Sequence, residues 1–468
     1  MAYQYGNPCR ITDGNSNINA GVYTKTLYGQ RIQDNPVPVW TADASRQPLV
    51  ILQDPKTGKK IGFNKDIFSY GFMLLAESGG GKTNLLDIIV DKLIENQEGN
   101  EKLIIYDTKG DYYRTFGSQI PKEECIVFGV GREYEDISGV YNIFGDMMPR
   151  GNDGRLVYTK DSDEKAAAVA KKLLKNLQSK QQPIFPSMAQ GVITACLIYF
   201  MRTYWRTQPS MLNNKALFQF IMESTDEELL AVFEQVYMKD RRKVRKYIEG
   251  KNSQTQGVQA YVGAALEELL VGPFVEHDPQ KAFSMSELVR LPGKKVIFIE
   301  YDLERGDTLK PLYGLMIDAA LSESLGGHHT ERNPVYFILD EMLLLPELDH
   351  LSNGLNFGRS QGVKILCGLQ NVSGLADVYG ETGAKKVLAS FQTMIAFHNS
   401  DAHTRDFLVE RFGKNYTITS AAVQQENLTI EREGHTVEDW DILSLKRGEA
   451  IVGLKFEDPF LFSMPKYE

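Results

Sequence analysis

The sequence has no apolar run long enough to cross a membrane. Its longest apolar stretches, such as residues 192–201, are about ten residues long, whereas a transmembrane helix needs about 20. The four cysteines are far apart and form no C-x-x-C pair, so neither a disulfide framework nor a zinc site is predicted. The net charge of −9 argues against a basic surface for nucleic acid. No secretory signal peptide is visible, and these absences predict a cytoplasmic protein.

A glycine-rich turn is present between a predicted strand and a predicted helix. Residues 71–84 read GFMLLAESGGGKTN, where the apolar run 72–75 predicts a buried strand and apolar residues after 84 recur at helical spacing. This order is what a phosphate loop needs, because backbone N–H groups and a helix N-terminus then face the phosphates. The predicted nucleotide-binding residues are Glu77, Ser78, Gly79, Gly80, Gly81, Lys82, Thr83 and Asn84.

Two residues of this loop have specific predicted roles. Lys82 would reach the β- and γ-phosphates of ATP, and the Thr83 hydroxyl would hold Mg²⁺. The first motif position is Ala76 instead of glycine, a modest departure because three glycines follow it. Taken alone, the pattern leaves open a glycine-rich turn that binds nothing.

A second motif supplies a metal ligand and a base. The apolar run 335–339 predicts a central parallel strand that is buried on both faces. Asp340 and Glu341 follow it, and open α/β sheets bind ligands at the carboxyl ends of their strands. Asp340 would support Mg²⁺, and Glu341 would polarise the attacking water as a general base. The two motifs together predict a Mg²⁺-dependent ATPase.

A third segment, residues 354–371, reads GLNFGRSQGVKILCGLQN and predicts a helix followed by a strand. Gln370 at the end of that strand is placed to sense the γ-phosphate, as a polar residue does there in RecA-like motors. Arg359 precedes the strand and could reach the nucleotide of a neighbouring subunit, although a cation that caps a helix C-terminus is the alternative. Asp107 and Lys109 follow another predicted strand, where they help to place Mg²⁺, link the site to the subunit interface, or form a plain turn.

The order of strand and helix patterns predicts an α/β fold: a RecA-like domain with a mainly parallel sheet, interrupted by an all-α insertion. The predicted boundaries are a polar N-terminal lead at 1–50, the nucleotide-binding domain at 51–154 and 286–468, and the all-α domain at 155–285. The basic run 239–252 is either a solvated helix face or a contact for nucleic acid or an acidic partner.

These segments resemble those of the type IV secretion coupling proteins, the TraG/TraD-type motors of bacterial conjugation. The resemblance spans roughly residues 60–465 and includes SGGGKT, IIYDTKGDYY, YNIFGDM, ILDEMLLLP and LSLKRGEAIVGL. Its most specific part is GRSQGVKILCGLQNVSGLADVYG with the following SFQTMIAFHNSD, since generic ATPases share the first two motifs without this order.

The resemblance implies a ring of six subunits with ATP between neighbours, where catalysis rests on Lys82, Glu341, Gln370 and Arg359. It also implies recruitment of a relaxase–DNA complex and transfer of single-stranded DNA or protein into a secretion channel. Most members carry an N-terminal pair of transmembrane helices, which this sequence lacks. We therefore expect a soluble form held peripherally at the inner face of the bacterial membrane by an anchoring partner.

Three other functions stay open at this point. DNA translocases of the FtsK or HerA kind share the nucleotide motifs, but the long helical insertion argues against them. A pilus-assembly ATPase would usually have a large domain before the phosphate loop, where only about 70 residues stand here. A substrate receptor that binds nucleotide with little turnover is the third, although the glutamate at 341 argues against it.

Overall fold

The computed structural model of the chain describes residues 22–33, 48–151, 153–174, 184–236, 253–328, 333–423, 426–455 and 457–467. Most of the predicted N-terminal lead and the basic run 239–252 lie outside these residues. The chain divides into two compact units: the first comprises Met1–Glu98, Tyr336–Leu343 and Ser352–Glu468, and the second Gly99–Val335 and Leu344–Leu351.

Sixteen strands occur in the described part of the chain. They are β1 (Val22–Tyr28), β2 (Val50–Gln53), β3 (Lys60–Phe63), β4 (Phe72–Leu75), β5 (Lys102–Asp107), β6 (Cys125–Phe128), β7 (Val140–Tyr141), β8 (Ala282–Phe283), β9 (Lys295–Glu300), β10 (Val335–Leu339), β11 (Val363–Leu369), β12 (Thr393–Phe397), β13 (Lys414–Val423), β14 (Glu426–His435), β15 (Glu449–Gly453) and β16 (Phe460–Ser463).

The helices of the same residues are α1 (Lys82–Glu95), α2 (Asp111–Phe116), α3 (Phe144–Met147), α4 (Ser162–Leu173), α5 (Ile184–Thr207), α6 (Asn214–Glu223), α7 (Asp226–Val236), α8 (Ser253–Leu269), α9 (Met285–Arg290), α10 (Gly306–Glu323), α11 (Leu351–Phe357), α12 (Ser373–Ser390), α13 (Ala402–Phe412) and α14 (Asp439–Leu443). Helix α12 is interrupted at Gly380, whose φ is 69°.

The first unit is built on strands in the order β16-β15-β12-β4-β11-β10. Strands β11 and β12 both pair with β4 in parallel, whereas β15 pairs antiparallel with β12 and with β16. Every residue of β4, β10, β11 and β12 is buried, as expected for strands whose two faces are both covered. The parallel direction means that the segments following β4, β11 and β12 leave the sheet at one edge.

A separate antiparallel sheet in the first unit, in the order β1-β13-β14, was not predicted from the sequence. The residues of β13 and β14 pair from Lys414 with His435 to Val423 with Glu426, which makes a long hairpin. Strand β1 pairs with β13 and lies within the predicted polar lead. Polar and charged residues alternate with few large apolar ones in this hairpin, which weakens the signal of a half-buried strand.

The second unit has its own parallel strands, β5 and β6, on either side of β9. From Ser162 to Leu269, the described regular elements are α-helices and one short 3₁₀ turn. This agrees with helical periodicity in the predicted insertion, but the boundaries at 155 and 285 stay a prediction. Within the described residues, no helix is long and apolar enough to span a membrane.

Candidate nucleotide site

The glycine-rich turn connects β4 directly to α1 in the first unit. Gly79 and Gly81 have φ values of 80° and 119°, in the region that side chains other than glycine rarely adopt. The Gly80 amide donates to the Glu77 carbonyl oxygen at 3.0 Å, which closes the turn. A Cβ on Gly81 would lie 3.3 Å from the Phe397 ring. The loop geometry therefore depends on its glycines, and helix α1 begins directly after it at Lys82.

Lys82 lies buried against the end of β10. Its ammonium group donates to the Asp340 carbonyl oxygen at 2.8 Å and to Glu341 Oε2 at 2.8 Å. The two side chains of this ion pair are only 10% and 7% exposed, so the attraction between them is screened little by solvent. The two sequence motifs thus meet through their charged residues.

Glycine at position 368 of β11 makes room for the Lys82 side chain. A Cβ on Gly368 would stand 2.0 Å from the Asp340 carbonyl oxygen, 2.7 Å from Lys82 Cδ and 2.9 Å from Lys82 Nζ. The first contact is with backbone, which has little freedom to move within a buried sheet. Sequence analysis did not identify Gly368; a glycine inside a buried strand was the available signal.

The two oxygens of the Glu341 carboxylate have different surroundings. Its Oε2 accepts from Lys82, whereas its Oε1 is buried and has no hydrogen-bond partner among the residues that the structure describes. A buried carboxylate oxygen without a donor is costly. An incoming water or ligand hydroxyl could therefore donate a hydrogen bond at this oxygen, which suits a proton acceptor.

Gln370 lies at the same edge of the sheet as the phosphate loop, directly after β11. The main chain links the two segments, because the Ala76 amide donates to the Leu369 carbonyl oxygen at 3.1 Å. The Gln370 carbonyl oxygen accepts from Asn399 Nδ2 at 2.8 Å, and its side chain is exposed. The predicted sensor thus stands beside the loop with its side chain available to a ligand.

Glu77 in the phosphate loop has side-chain partners that the sequence did not reveal. Its Oε1 lies 2.6 Å from His398 Nδ1, and its Oε2 accepts from the Ser400 hydroxyl at 2.7 Å and the Ser400 amide at 3.2 Å. The Ser400 hydrogen bond is the main cause that lowers the pKa of Glu77. The sequence signal that could have identified His398 was its position, because it directly follows β12 as Gln370 directly follows β11.

The remaining predicted loop residues have different surroundings. Ser78 is exposed, and Thr83 is half-buried on the first turn of α1. Asn84 uses its side chain within the protein: Nδ2 donates to the Pro465 carbonyl oxygen at 2.7 Å, and Oδ1 accepts from the Tyr467 amide at 2.9 Å. The Asn84 side chain is therefore engaged by the C-terminal segment.

Arg359 lies at the opposite end of the strands from the phosphate loop. It is part of a short 3₁₀ helix that precedes β11, and it follows α11 instead of lying on it. Its guanidinium stands 4.8 Å from the ring centroid of Tyr70, which precedes β4. Because β4 and β11 are parallel, Arg359 and Gln370 mark opposite edges of the sheet. Arg359 is thus not brought together with the phosphate loop of its own chain.

In the second unit, Asp107 forms a strand-end turn. Its Oδ1 accepts from the Lys109 and Gly110 amides at 3.0 and 2.9 Å, and its Oδ2 accepts from the Tyr112 amide at 2.8 Å. Lys109 is exposed. These bonds favour the turn that the sequence left open beside the metal role.

Asp107 also has a carboxyl neighbour. Glu300 at the end of β9 is its register partner, and the Tyr134 hydroxyl donates to Glu300 Oε2 at 2.9 Å. Burial, followed by the charge of Asp107, raises the pKa of Glu300 to about 9. Glu300 therefore holds a proton at neutral pH.

No group of three or more His, Cys, Asp or Glu side chains arranged to hold a metal ion occurs within the described residues. The Thr83 hydroxyl and the Asp340 carboxyl group carry oxygen atoms, which are the ligand type that Mg²⁺ prefers while it retains waters and binds phosphate oxygens.

Comparison with known proteins gives one family. Residues 57–434 match the model of the type IV secretion-system coupling protein DNA-binding domain. No curated protein sequence matches the chain.

Solved structures of the plasmid coupling protein TrwB share the fold. The complex with ADP and Mg²⁺ has a TM-score of 0.71 at 18% identity, with 95% of each chain covered. The unbound monoclinic form of TrwBdeltaN70 gives 0.74 at 18% identity, with 95% of this chain and 94% of that chain covered. The complex with the ATP analogue ADPNP gives 0.72 at 19% identity and 95% coverage of both. This chain belongs to the family of type IV secretion-system coupling proteins.

Proposed function

We propose that this protein is an ATP-hydrolysing coupling protein, which recruits a relaxase–DNA or protein substrate and drives its transfer into a type IV secretion channel of the conjugation kind. The observation that supports it best is the buried contact of Lys82 with Glu341 at the end of a glycine-rich loop. This contact places the cation that is proposed to bind phosphates within hydrogen-bond distance of the carboxylate that is proposed to polarise water.

The residues of the loop fit a nucleotide with Mg²⁺. Gly79, Gly80 and Gly81 leave the backbone open to phosphate oxygens, and α1 adds the positive end of a helix dipole. Thr83 and Asp340 are the proposed oxygen ligands of Mg²⁺. Bound ATP supplies the phosphoryl group whose transfer to water releases free energy. The relatives crystallised with ADP and Mg²⁺ and with ADPNP support this ligand class.

Each catalytic residue has a proposed role that follows from its present contacts. Lys82 exchanges the Glu341 carboxylate for phosphate oxygens, which leaves Glu341 available to accept a proton from water. Gln370 senses the γ-phosphate through its exposed side-chain amide, which can both donate and accept hydrogen bonds. The release of Glu341 thereby links the readiness of the base to occupation of the loop.

Arg359 is proposed to act on the nucleotide of a neighbouring copy in a homohexamer. Its position at the edge opposite the phosphate loop rules it out of the site of its own chain, and supports a role in trans. Mixing tests this: Arg359→Ala subunits should regain turnover when they are combined with Lys82→Ala subunits, because a site is intact wherever the Arg359→Ala subunit supplies the phosphate loop and the Lys82→Ala subunit supplies the arginine. Failure of all ratios to restore turnover would argue against the role.

The proposed partners follow from the family. They are a relaxase with single-stranded DNA or a secreted protein, components of the secretion channel, and a membrane-anchoring partner that holds the protein at the inner face of the bacterial membrane. The DNA-binding description of the matching family supports nucleic acid as one substrate. The proposed nucleotide-binding domain, 51–154 and 286–468, would then work with the inserted all-α domain at 155–285.

Turnover of ATP tests the proposal directly. We expect the wild type to hydrolyse ATP, faster with single-stranded DNA and more steeply than linearly with protein concentration, because neighbouring subunits share sites. Lys82→Ala should bind ATP weakly and turn over little while circular dichroism shows a retained fold. Near-zero wild-type turnover at every DNA and protein concentration would instead favour a nucleotide-binding receptor.

A further inference from the structure

The loop between β12 and α13, residues His398–Asp401, contacts two segments that are distant in sequence. On one side it binds the side chain of Glu77 in the phosphate loop, and on the other it binds the turn that contains Gln370. The β12–α13 loop contains neither the predicted phosphate-binding residues nor the predicted base. Its contacts suggest a role in setting the relative position of the two segments.

The contact with the phosphate loop uses both oxygens of Glu77. His398 lies 2.6 Å from one oxygen, and the hydroxyl and amide of Ser400 donate to the other. A carboxylate in a loop that binds phosphates would repel them if it could turn toward them. Hydrogen bonds to an ionised carboxylate are among the stronger ones, so they hold this charge on the β12 side.

The contact with the Gln370 turn comes from buried side chains. Asn399 is 1% exposed, and its Nδ2 donates to the Gln370 carbonyl oxygen at 2.8 Å. The Val372 amide donates to the Thr404 hydroxyl oxygen at 3.0 Å, and Thr404 is fully buried on α13. Both ends of the segment that follows β11 are therefore held from the same loop and helix.

Internal hydrogen bonds make the β12–α13 loop a rigid connector. Asp401 caps α13 by accepting from the amide and hydroxyl of Thr404 at 2.9 and 2.7 Å. The Asp401 amide donates to Asn399 Oδ1 at 3.0 Å. Arg405 donates to the carbonyl oxygens of Asn399 and Ser400. These bonds connect the residues that contact Glu77 with the residue that contacts Gln370.

We propose that the β12–α13 loop couples the phosphate loop to the Gln370 turn, with His398 and Ser400 as positioning residues that hold Glu77. This inference rests on the proposed function, which supplies the nucleotide that the loop would respond to. The alternative is a purely local structural role, in which these bonds stabilise the β12–α13 loop and affect neither distant segment.

Amide hydrogen exchange on the nucleotide-free protein tests the coupling without any turnover. In His398→Ala we expect exchange to accelerate about tenfold in the phosphate loop, residues 77–81, because a charge-assisted hydrogen bond is lost. The turn at 370–375 should accelerate as well, although the described hydrogen bond of His398 goes to Glu77. His403→Ala, an exposed histidine on α13, is the matched control and should change neither segment.

Nucleotide kinetics then separates positioning from stability. His398→Ala and Ser400→Ala should each raise KM for ATP about tenfold, with a smaller fall in kcat. His398→Asn keeps a donor near the Nδ1 position and should recover KM to within about threefold of the wild type. A merely structural role predicts lower thermal stability with unchanged KM, and no rescue by asparagine.

A double-mutant cycle joins the two sides of the loop. Glu77→Gln weakens the phosphate-loop contact, and Thr404→Val removes the hydroxyl that binds Val372 with little change in shape. If the loop couples the two contacts, the effect of both substitutions together on KM should differ from the product of the two single effects by about threefold or more.

Two results would overturn the inference. One is accelerated exchange confined to residues 398–404 in His398→Ala, and the other is fully multiplicative effects in the cycle. A wild type that neither binds nor hydrolyses ATP would refute the proposed function instead, while the exchange experiment would still decide whether the coupling exists.

Discussion

Two pairs of buried carboxyl groups at strand ends, one in each unit, have opposite surroundings. Asp340 and Glu341 follow β10 in the first unit, where Lys82 binds the Glu341 carboxylate within a glycine-rich loop. Asp107 and Glu300 end β5 and β9 in the second, where backbone amides and the Tyr134 hydroxyl are the donors. An apolar strand that ends in an acid therefore does not by itself indicate a catalytic site.

The difference lies in how each pair meets the cost of burying negative charge. Glu341 forms a buried ion pair with Lys82. Glu300 has no such cation among its hydrogen-bond partners in the described chain, and burial raises its pKa to about 9, so that it holds a proton instead. The first arrangement suits the proposed proton acceptor, whereas Glu300 already holds a proton.

The largest expected effect comes from Glu341→Gln. Loss of the general base should lower ATP turnover by about a hundredfold or more, while the amide still accepts from Lys82 and the nucleotide still binds. Turnover and equilibrium binding of a fluorescent ATP analogue measure the two effects. Glu304→Gln, an exposed carboxylate in the second unit, is the control, and a normal rate for Glu341→Gln would show that the base lies elsewhere.

Gly368→Ala tests the space around the cation. The added methyl group would stand 2.0 Å from the Asp340 carbonyl oxygen and 2.9 Å from Lys82 Nζ. We expect a loss of about 1–3 kcal/mol in the free energy of unfolding, together with weaker nucleotide binding. Gly191→Ala, where a Cβ would meet nothing within 4 Å, should not destabilise the fold in chemical denaturation. Equal stability of the two variants would contradict the packing described at Lys82.

Glu300→Gln tests the contrast between Glu300 and Glu341 through the pH dependence of the free energy of unfolding. The pKa of Glu300 is near 4.5 in an unfolded chain and about 9 in the folded protein. Its contribution to stability is therefore full below about pH 4.5 and is lost as the pH rises toward 9. Because glutamine cannot ionise, the variant should gain roughly 1 kcal/mol over the wild type for each pH unit in this window.

Unfolding free energies of both proteins between pH 5 and 9 measure that gain. A difference that does not change with pH would mean that Glu300 is ionised in the folded state at neutral pH, and the contrast with Glu341 would disappear. ATP turnover of Glu300→Gln should stay close to that of the wild type, because Glu300 belongs to no proposed catalytic group.

The smallest expected effect is that of Tyr134→Phe. The Tyr134 hydroxyl donates to Glu300 Oε2 at 2.9 Å, and this bond lowers the pKa of Glu300 against the larger effect of burial. Its loss should cost about 1 kcal/mol and extend the alkaline loss of stability to higher pH. The control is Tyr113→Phe, because the Tyr113 ring packs beside the Tyr134 ring. An unchanged pH profile in Tyr134→Phe would show that the hydrogen bond does not affect Glu300.

The central strands were predictable from sequence because their apolar runs are short, continuous and bounded by turn residues. The predicted bounds of β4 and β10, residues 72–75 and 335–339, were confirmed. The hairpin β13–β14 could not be found in the same way, since its residues lack a clear apolar face. Local patterns reveal elements that are buried, and say little about those that are exposed.

The nucleotide site was only partly predictable, because local motifs identify its residues but not the contacts between them. Lys82 and Glu341 belong to recognisable motifs. Their direct contact depends on β4, β11 and β10 lying side by side in the sheet, and no local sequence pattern specifies that strand order. The bonds of Glu77 with His398 and Ser400 join segments more than 300 residues apart, as the separation of 321 between Glu77 and His398 shows. The pairing of Asp107 with Glu300 likewise follows from sheet order alone.

The central claim is that Glu341 is a catalytic base and Glu300 a protonated structural carboxyl. The most direct test measures ATP binding and turnover for the wild type, Glu341→Gln and Glu300→Gln side by side at pH 7.5 with Mg²⁺. We expect all three to bind ATP and only Glu341→Gln to fail to hydrolyse it. Equal turnover in the two variants, whether high or low, would contradict the claim.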